Sequence, residues 1–290
     1  MKNILVAEDD STTRNLLRNV LKAGGFSVAT AADGSTALGK LRKKKFDLLL
    51  TDIWMPGLNG LELMAHLRQE AIRPKVVVLT SDDTPESLLR AVREQAYQYL
   101  TKPVDPKKVV DLISDTLAKN PVSPPIEVLS ARPNWVELLV PCELGVAERI
   151  TGFMNQIESD LPQEVRNQIG QAFRELLMNA IEWGGKLDPN QKVRISYLRG
   201  RRMVMYRIAD PGTGFRFKGL EHAAVMNPPG QPLQHIEERD RKGLRPGGFG
   251  IVMASFLADE LLFNEAQNEV VLVKYLPDVA VPIPKDPVNW

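Results

Sequence analysis

Cysteine is nearly missing from this chain: Cys142 is the only one in 290 residues. No internal disulfide can form, which suits a reducing compartment. Net charge is nearly missing as well, with 37 basic against 36 acidic residues. So balanced a chain carries no overall electrostatic footprint for nucleic acid, and no direct DNA binding is expected. No apolar run approaches the roughly 20 residues of a membrane helix, so no membrane partner is expected. The opening Met1-Lys-Asn-Ile-Leu-Val6 enters a strand pattern directly, with no signal peptide ahead of it. The chain is therefore read as cytoplasmic. Histidine is scarce too. His66 falls in a helical pattern, while His222 and His235 fall in a stretch broken by glycine and proline. Each is read as a surface or packing residue.

Length argues for two domains. In the first, short apolar runs alternate with amphipathic stretches. Ile4–Ala7, Phe26–Thr30, Phe46–Leu50, Val76–Leu79 and Tyr97–Leu100 read as strands, and Leu16, Leu17, Val20 and Leu21 as one helix face. Runs apolar at nearly every position suit central strands covered on both sides. Five such units predict a doubly wound parallel sheet, whose ligands bind beyond the carboxyl ends of the strands. Glu8 and Asp9, Asp52, Thr80 and Lys102 all fall at those ends. Three converging carboxylates repel one another unless a cation sits among them, and Mg²⁺ takes a few carboxylates, waters and phosphate oxygens. The set is suited to receiving a phosphoryl group on Asp52, with Lys102 and the metal against its charge and Thr80 as a hydrogen-bond donor.

Residues 1–119 resemble the response-regulator receiver family, of flavodoxin-like (βα)5 fold. The resemblance rests on Glu8-Asp9, Thr51-Asp-Ile-Trp-Met-Pro-Gly57, Gly60, Thr80-Ser81 and Lys102-Pro103. It implies Asp52 as phosphoacceptor, Glu8, Asp9, Asp52 and the Trp54 backbone carbonyl at the metal, and a sensor histidine kinase as phosphodonor. It also implies Thr80, Tyr99 and Lys102 as the switch residues, and a cis peptide at Lys102-Pro103. Glu at position 8, in place of Asp, is a departure from the family pattern.

After a helix expected over 105–119, Asn120-Pro-Val-Ser-Pro-Pro125 cannot continue it and reads as a semi-rigid spacer within a linker over 120–132. The second domain is expected over 133–276, with a proline-rich tail at 277–290. A helix from Pro162 to about Gly184 buries Ile169, Phe173, Leu176, Leu177, Ala180 and Ile181. Glu175 and Asn179, four apart, share one face beside that stripe. Strands at 193–198 and 203–209 form a hairpin that runs into Asp210-Pro-Gly-Thr-Gly214. A long segment without periodicity follows, reaching Arg245, and segments of this length are commonly lids or disordered. Gly247-Gly-Phe-Gly250 then opens a helix over 251–257, and strands at 260–264 and 269–275 close the domain. Glycines opening a helix present amide groups to phosphate oxygens. An asparagine oxygen suits Mg²⁺, a nearby carboxylate suits general-base work, and an acid at a strand end can accept from an adenine amino group.

That order of parts is similar to the GHKL ATPase superfamily of gyrase, histidine kinases and mismatch-repair ATPases. Within it, the chain most resembles the anti-sigma-factor serine/threonine kinases, an α+β sandwich of helices on a mixed sheet. The resemblance implies ATP and Mg²⁺ as cofactors, Asn179 at the metal and Glu175 as catalytic base. It places Asp210, Gly212 and Gly214, with Gly247, Gly248 and Gly250, around the nucleotide. Trp183 stands where many of these kinases carry histidine. No segment offers the two-helix, histidine-bearing dimerisation unit of a histidine kinase. The function expected is a two-component response regulator whose Asp phosphorylation controls an anti-sigma-type kinase acting on an anti-anti-sigma-type or other regulatory protein. The alternative is a non-catalytic module that uses ATP to sequester its partner.

Overall fold

The computed structural model describes residues 1–81, 84–103, 105–118, 125–132, 134–215, 223–227, 231, 233–241 and 248–276. The first domain is a parallel sheet in the order β2-β1-β3-β4-β5, formed by β1 (Asn3–Ala7), β2 (Ser27–Ala31), β3 (Leu48–Thr51), β4 (Lys75–Thr80) and β5 (Gln98–Thr101). Five helices connect and cover it: α1 (Ser11–Ala23), α2 (Gly34–Lys43), α3 (Gly60–Gln69), α4 (Pro85–Arg93) and α5 (Pro106–Ala118). Local chemistry sets their starts. Asp10, Asp33 and Thr84 accept from backbone amides of their first turns, and Asn59 with Glu62 closes a reciprocal capping box. One sheet face packs Ile4, Val6, Leu48, Leu50, Val77 and Leu79 on Leu17 and Leu21 of α1 and Val109 and Ile113 of α5. The other face packs Leu5, Leu49 and Val78 on α2, α3 and α4. This alternation is what a strand buried on both sides requires.

The second domain is a six-stranded sheet in the order β10-β11-β9-β8-β7-β6, made of β6 (Glu127–Arg132), β7 (Trp135–Pro141), β8 (Lys192–Arg199), β9 (Met203–Ala209), β10 (Glu260–Phe263) and β11 (Glu269–Tyr275). Every neighbouring pair is antiparallel, where a mixed sheet was expected. β7 and β9 alternate buried and half-buried positions, so one face carries the core. Helices α6 (Leu144–Ile157), α7 (Gln163–Asn179) and α9 (Gly250–Leu257) supply the apolar partners. Phe173 of α7 stacks on Tyr206 at 4.5 Å between ring centroids, and Tyr206 in turn on Tyr197 at 5.1 Å.

Three further differences from the sequence reading concern the second domain. β6 lies within the expected linker; it is an edge strand with only a weak burial alternation and a register irregularity near Val128–Ser130. The helix expected to reach Gly184 is α-helical only to Asn179, then widens into a π-helical turn over Ala180–Gly184. Within the expected lid, α8 (Gln234–Arg241) is a helix. Residues 216–222, 228–230, 232, 242–247 and 277–290, including Gly247 and the expected tail, lie outside the described residues. No described helix is long and apolar enough to cross a membrane.

Candidate functional site

The first cluster lies at the carboxyl edge of the parallel sheet. Glu8 follows β1 and Asp52 follows β3; both are buried, and Asp9 beside them is exposed. One carboxylate oxygen from each of Glu8, Asp9 and Asp52 falls within 4.8 Å of the others. Lys102, one residue past β5, reaches across both buried acids. Its Nζ lies 2.6 Å from Asp52 Oδ2 and 2.7 Å from Glu8 Oε2. Burial raises the Glu8 carboxyl above its ordinary range, and the bond from Lys102 only partly offsets this. Burial works against the Lys102 ammonium too, yet its bonds to Asp52 and Glu8 outweigh that and hold its pKa up. Three converging hard oxygen donors fit a cation such as Mg²⁺. The Trp54 backbone N–H donates to Asp52 Oδ1 at 3.2 Å, while the Trp54 ring is exposed. Thr80 ends β4 fully buried, Tyr99 lies buried within β5, and the Lys102–Pro103 peptide is cis. All the sequence-predicted receiver residues are therefore gathered at this edge or on the two strands leading to it.

The second cluster lines a cavity of about 880 Å³ in the C-terminal domain. Glu175 and Asn179 reach it from α7, Asp210, Gly212 and Gly214 from the turn after β9, and Gly248 and Gly250 from the start of α9. Gly250 shows how tight the meeting is: a Cβ there would sit 3.0 Å from Glu175 Oε2 and 3.3 Å from Asn179 Nδ2. The start of α9, whose first-turn amides have no acceptor within the helix, is thus set directly against the acid and the amide of α7. Asp210 Oδ1 accepts from the Gly212 amide at 2.8 Å. Burial raises the Asp210 carboxyl, partly offset by that bond. Glu175 is paired with Arg174 at 3.1 Å. Residues distant in sequence therefore converge on one concave site with oxygen donors, amides and apolar walls. That is the composition expected of a small-molecule pocket.

Some residues of the cavity were not foreseen. Asn268 donates from Nδ2 to the Gly212 carbonyl at 3.0 Å, and its own carbonyl accepts from the Asp210 amide at 2.9 Å. It braces the acidic turn from the far end of the chain, and no sequence spacing signals such a pair. Lys186, Phe215 and Phe263 also line the wall. The π-helical turn over Ala180–Gly184 carries Trp183, half-exposed, onto the same wall. Such turns recur at functional sites.

Comparison with known proteins agrees with this division. Residues 4–114 match the response regulator receiver domain, and residues 143–274 match the histidine kinase-like ATPase domain. The DNA-binding response regulator MtrA of Mycolicibacterium smegmatis is 32% identical over 225 residues, covering 77% of this chain and 96% of its own length. The alkaline phosphatase synthesis transcriptional regulatory protein PhoP of Bacillus subtilis is 32% identical over 124 residues, 43% of this chain and 52% of that protein. Among solved structures, the chemotaxis protein CheY4 of Vibrio cholerae aligns at 28% identity and a TM-score of 0.38, covering 40% of this chain and 98% of that one. The chain belongs to the response regulator family, and its receiver is followed by a histidine kinase-like ATPase domain.

Proposed function

We propose that phosphorylation of Asp52 by a sensor histidine kinase controls an ATP-binding serine/threonine kinase output of the anti-sigma type. At the receiver, a carboxylate oxygen of Asp52 attacks the phosphoryl group as the donor's nitrogen leaves. Lys102, already 2.6 Å from Asp52, supplies positive charge to the incoming oxygens. Mg²⁺ held by Glu8, Asp9, Asp52 and the Trp54 carbonyl would add to that charge. In the C-terminal cavity, Asp210 would accept from adenine, the amides opening α9 would hold the phosphates, and Asn179 would offer its side-chain oxygen to the nucleotide's Mg²⁺. Glu175 takes the proton of a partner's serine or threonine hydroxyl as its oxygen receives the γ-phosphoryl group and ADP departs. The partner class is an anti-anti-sigma-type or other regulatory protein, and the balanced net charge favours a protein target over DNA.

The observation that carries this reading is the approach of Gly250 to Glu175 and Asn179, which brings a helix start, a carboxylate and a side-chain amide to one point. The test is transfer of label from γ-labelled ATP to a co-purified partner. Label on its serine or threonine, lost in Glu175→Ala, is expected. One observation favours the alternative of nucleotide-dependent sequestration: Trp183, on the cavity wall, has no acid–base chemistry to offer. Mg-ATP binding without any transfer would decide for that reading.

A further inference from the structure

Helix α6 stands between the two clusters and touches the receiver with buried polar side chains. Arg149 is 5% exposed; its Nε donates to the Tyr97 carbonyl and its Nη2 to the Ala96 carbonyl, both at 3.1 Å. Its guanidinium also lies 4.5 Å from the Tyr97 ring centroid. Two turns further along α6, Gln156 Nε2 donates to the Tyr99 carbonyl at 3.0 Å. Tyr99 lies within β5, the outermost strand of the parallel sheet, and Ala96 and Tyr97 lead directly into it. α6 supplies donors where a further strand would otherwise be needed. Beside it, Gln95 Nε2 donates to the Ile126 carbonyl at 2.8 Å and Gln95 Oε1 accepts from the Ile126 amide at 3.1 Å. α4 packs on both β6 and α6.

The other side of α6 lies against α7. Gly170 of α7 leaves room for Asn155 of α6, since a Cβ at 170 would overlap the Asn155 amide. Asn155 precedes Gln156, and α7 continues from Gly170 to Glu175 and Asn179. At the receiver end, β5 runs into Lys102, which holds Asp52 and Glu8. One unbroken series of contacts thus joins Asp52, Lys102, β5, α6 and α7 to the cavity. Closely packed elements of this kind move between discrete arrangements rather than deforming gradually.

We propose that α6 is the relay between the two sites, with Arg149 and Gln156 as its positioning residues. Their hold on β5 links phosphorylation of Asp52 to nucleotide binding in the C-terminal cavity. The proposal rests on the nucleotide reading above and adds its regulation. Linkage is reciprocal, so phosphorylation and nucleotide alter each other's binding by the same factor, commonly about fivefold or more.

The test uses the full chain, with beryllofluoride and Mg²⁺ as phosphoryl mimic and a non-hydrolysable ATP analogue. Calorimetry gives the analogue's Kd with and without beryllofluoride, and hydrogen exchange follows residues 144–157. In the wild type, the Kd should change at least about fivefold and exchange over 144–157 should change on adding beryllofluoride alone. In Arg149→Met, which keeps length without donors, and separately in Gln156→Leu at the less buried position, both responses should shrink toward none. Both ligands should still bind these variants. A wild-type Kd unaffected by beryllofluoride, a wild-type ratio kept in the variants, or exchange over 144–157 indifferent to beryllofluoride would overturn the relay. An analogue that binds neither form of the wild type would instead sink the nucleotide reading, and the exchange measurement alone would then judge α6.

Discussion

Asp52 shares the Lys102 ammonium with Glu8, and this arrangement makes a residue-scale prediction. A small phosphodonor with Mg²⁺ should label the wild type and leave Asp52→Asn unlabelled. Lys102→Met should take up label more slowly, because two buried carboxylates then face the incoming phosphate without their counter-charge. Label persisting in Asp52→Asn would move the acceptor elsewhere. A different carboxyl governs stability. Glu158 is 1% exposed, and burial raises its pKa from an ordinary 4.5 to about 8, against a hydrogen bond from the Tyr206 hydroxyl at 2.9 Å. Between these values the folded chain keeps a proton that the unfolded chain releases. Stability should therefore fall as pH rises from about 4.5 to about 8, then level off. Each unit is worth about 1.4 kcal/mol, so Glu158→Gln should gain on the order of a few kcal/mol at pH 8 and little at pH 4.5. Parallel denaturation profiles for the two proteins across that range would refute this.

At the scale of elements, the sequence disclosed most where function is carried by contiguous motifs. The five receiver strands were legible because buried parallel strands are continuous apolar runs, and their terminal residues follow directly. Glu175 and Asn179 were legible because helical spacing puts them on one face. Helix α6 went unread: its buried face includes Arg149 and Thr151, which break the apolar stripe, and the partners of Arg149 lie in the other domain. β6 was hidden for a similar reason, since an edge strand half-open to solvent has little alternation to show. The π-helical turn leaves no pattern of its own in the sequence. Two predictions belong here. Asn179→Ala should weaken Mg-ATP binding, and Asp210→Ala should erase the preference for adenine over guanine nucleotides, both by calorimetry. Gly214, at φ +82° and packed so that a Cβ would overlap the Ala266 carbonyl, should not tolerate alanine. Gly214→Ala should cost at least about 1 kcal/mol of stability, measured by denaturation, and an unchanged midpoint would contradict the turn geometry.

For the molecule as a whole, the hydrophobic core does not stop at the domain boundary. A single cluster runs from the α2–α3–α4 side of the receiver into the C-terminal domain, with Ile126 and Tyr99 both inside it. Every described residue that lines the cavity nonetheless lies after residue 125. A fragment of residues 125–290 should therefore still bind Mg-ATP, while unfolding at a lower temperature than the same domain in the full chain, because Ile126 and Arg149 lose their cover. Binding lost in a fragment with native circular dichroism would mean that the receiver completes the cavity.

The covering of β5 by α6 also bears on aggregation. A bare outer strand is a template on which another chain can pair, and proteins blunt such strands with charge, proline or a covering element. Here Gln156 occupies the Tyr99 carbonyl of that strand, and Arg149 the carbonyls of the two residues leading into it. Any state in which α6 withdraws would turn that edge adhesive, and self-association in the phosphorylated protein would be its outward sign.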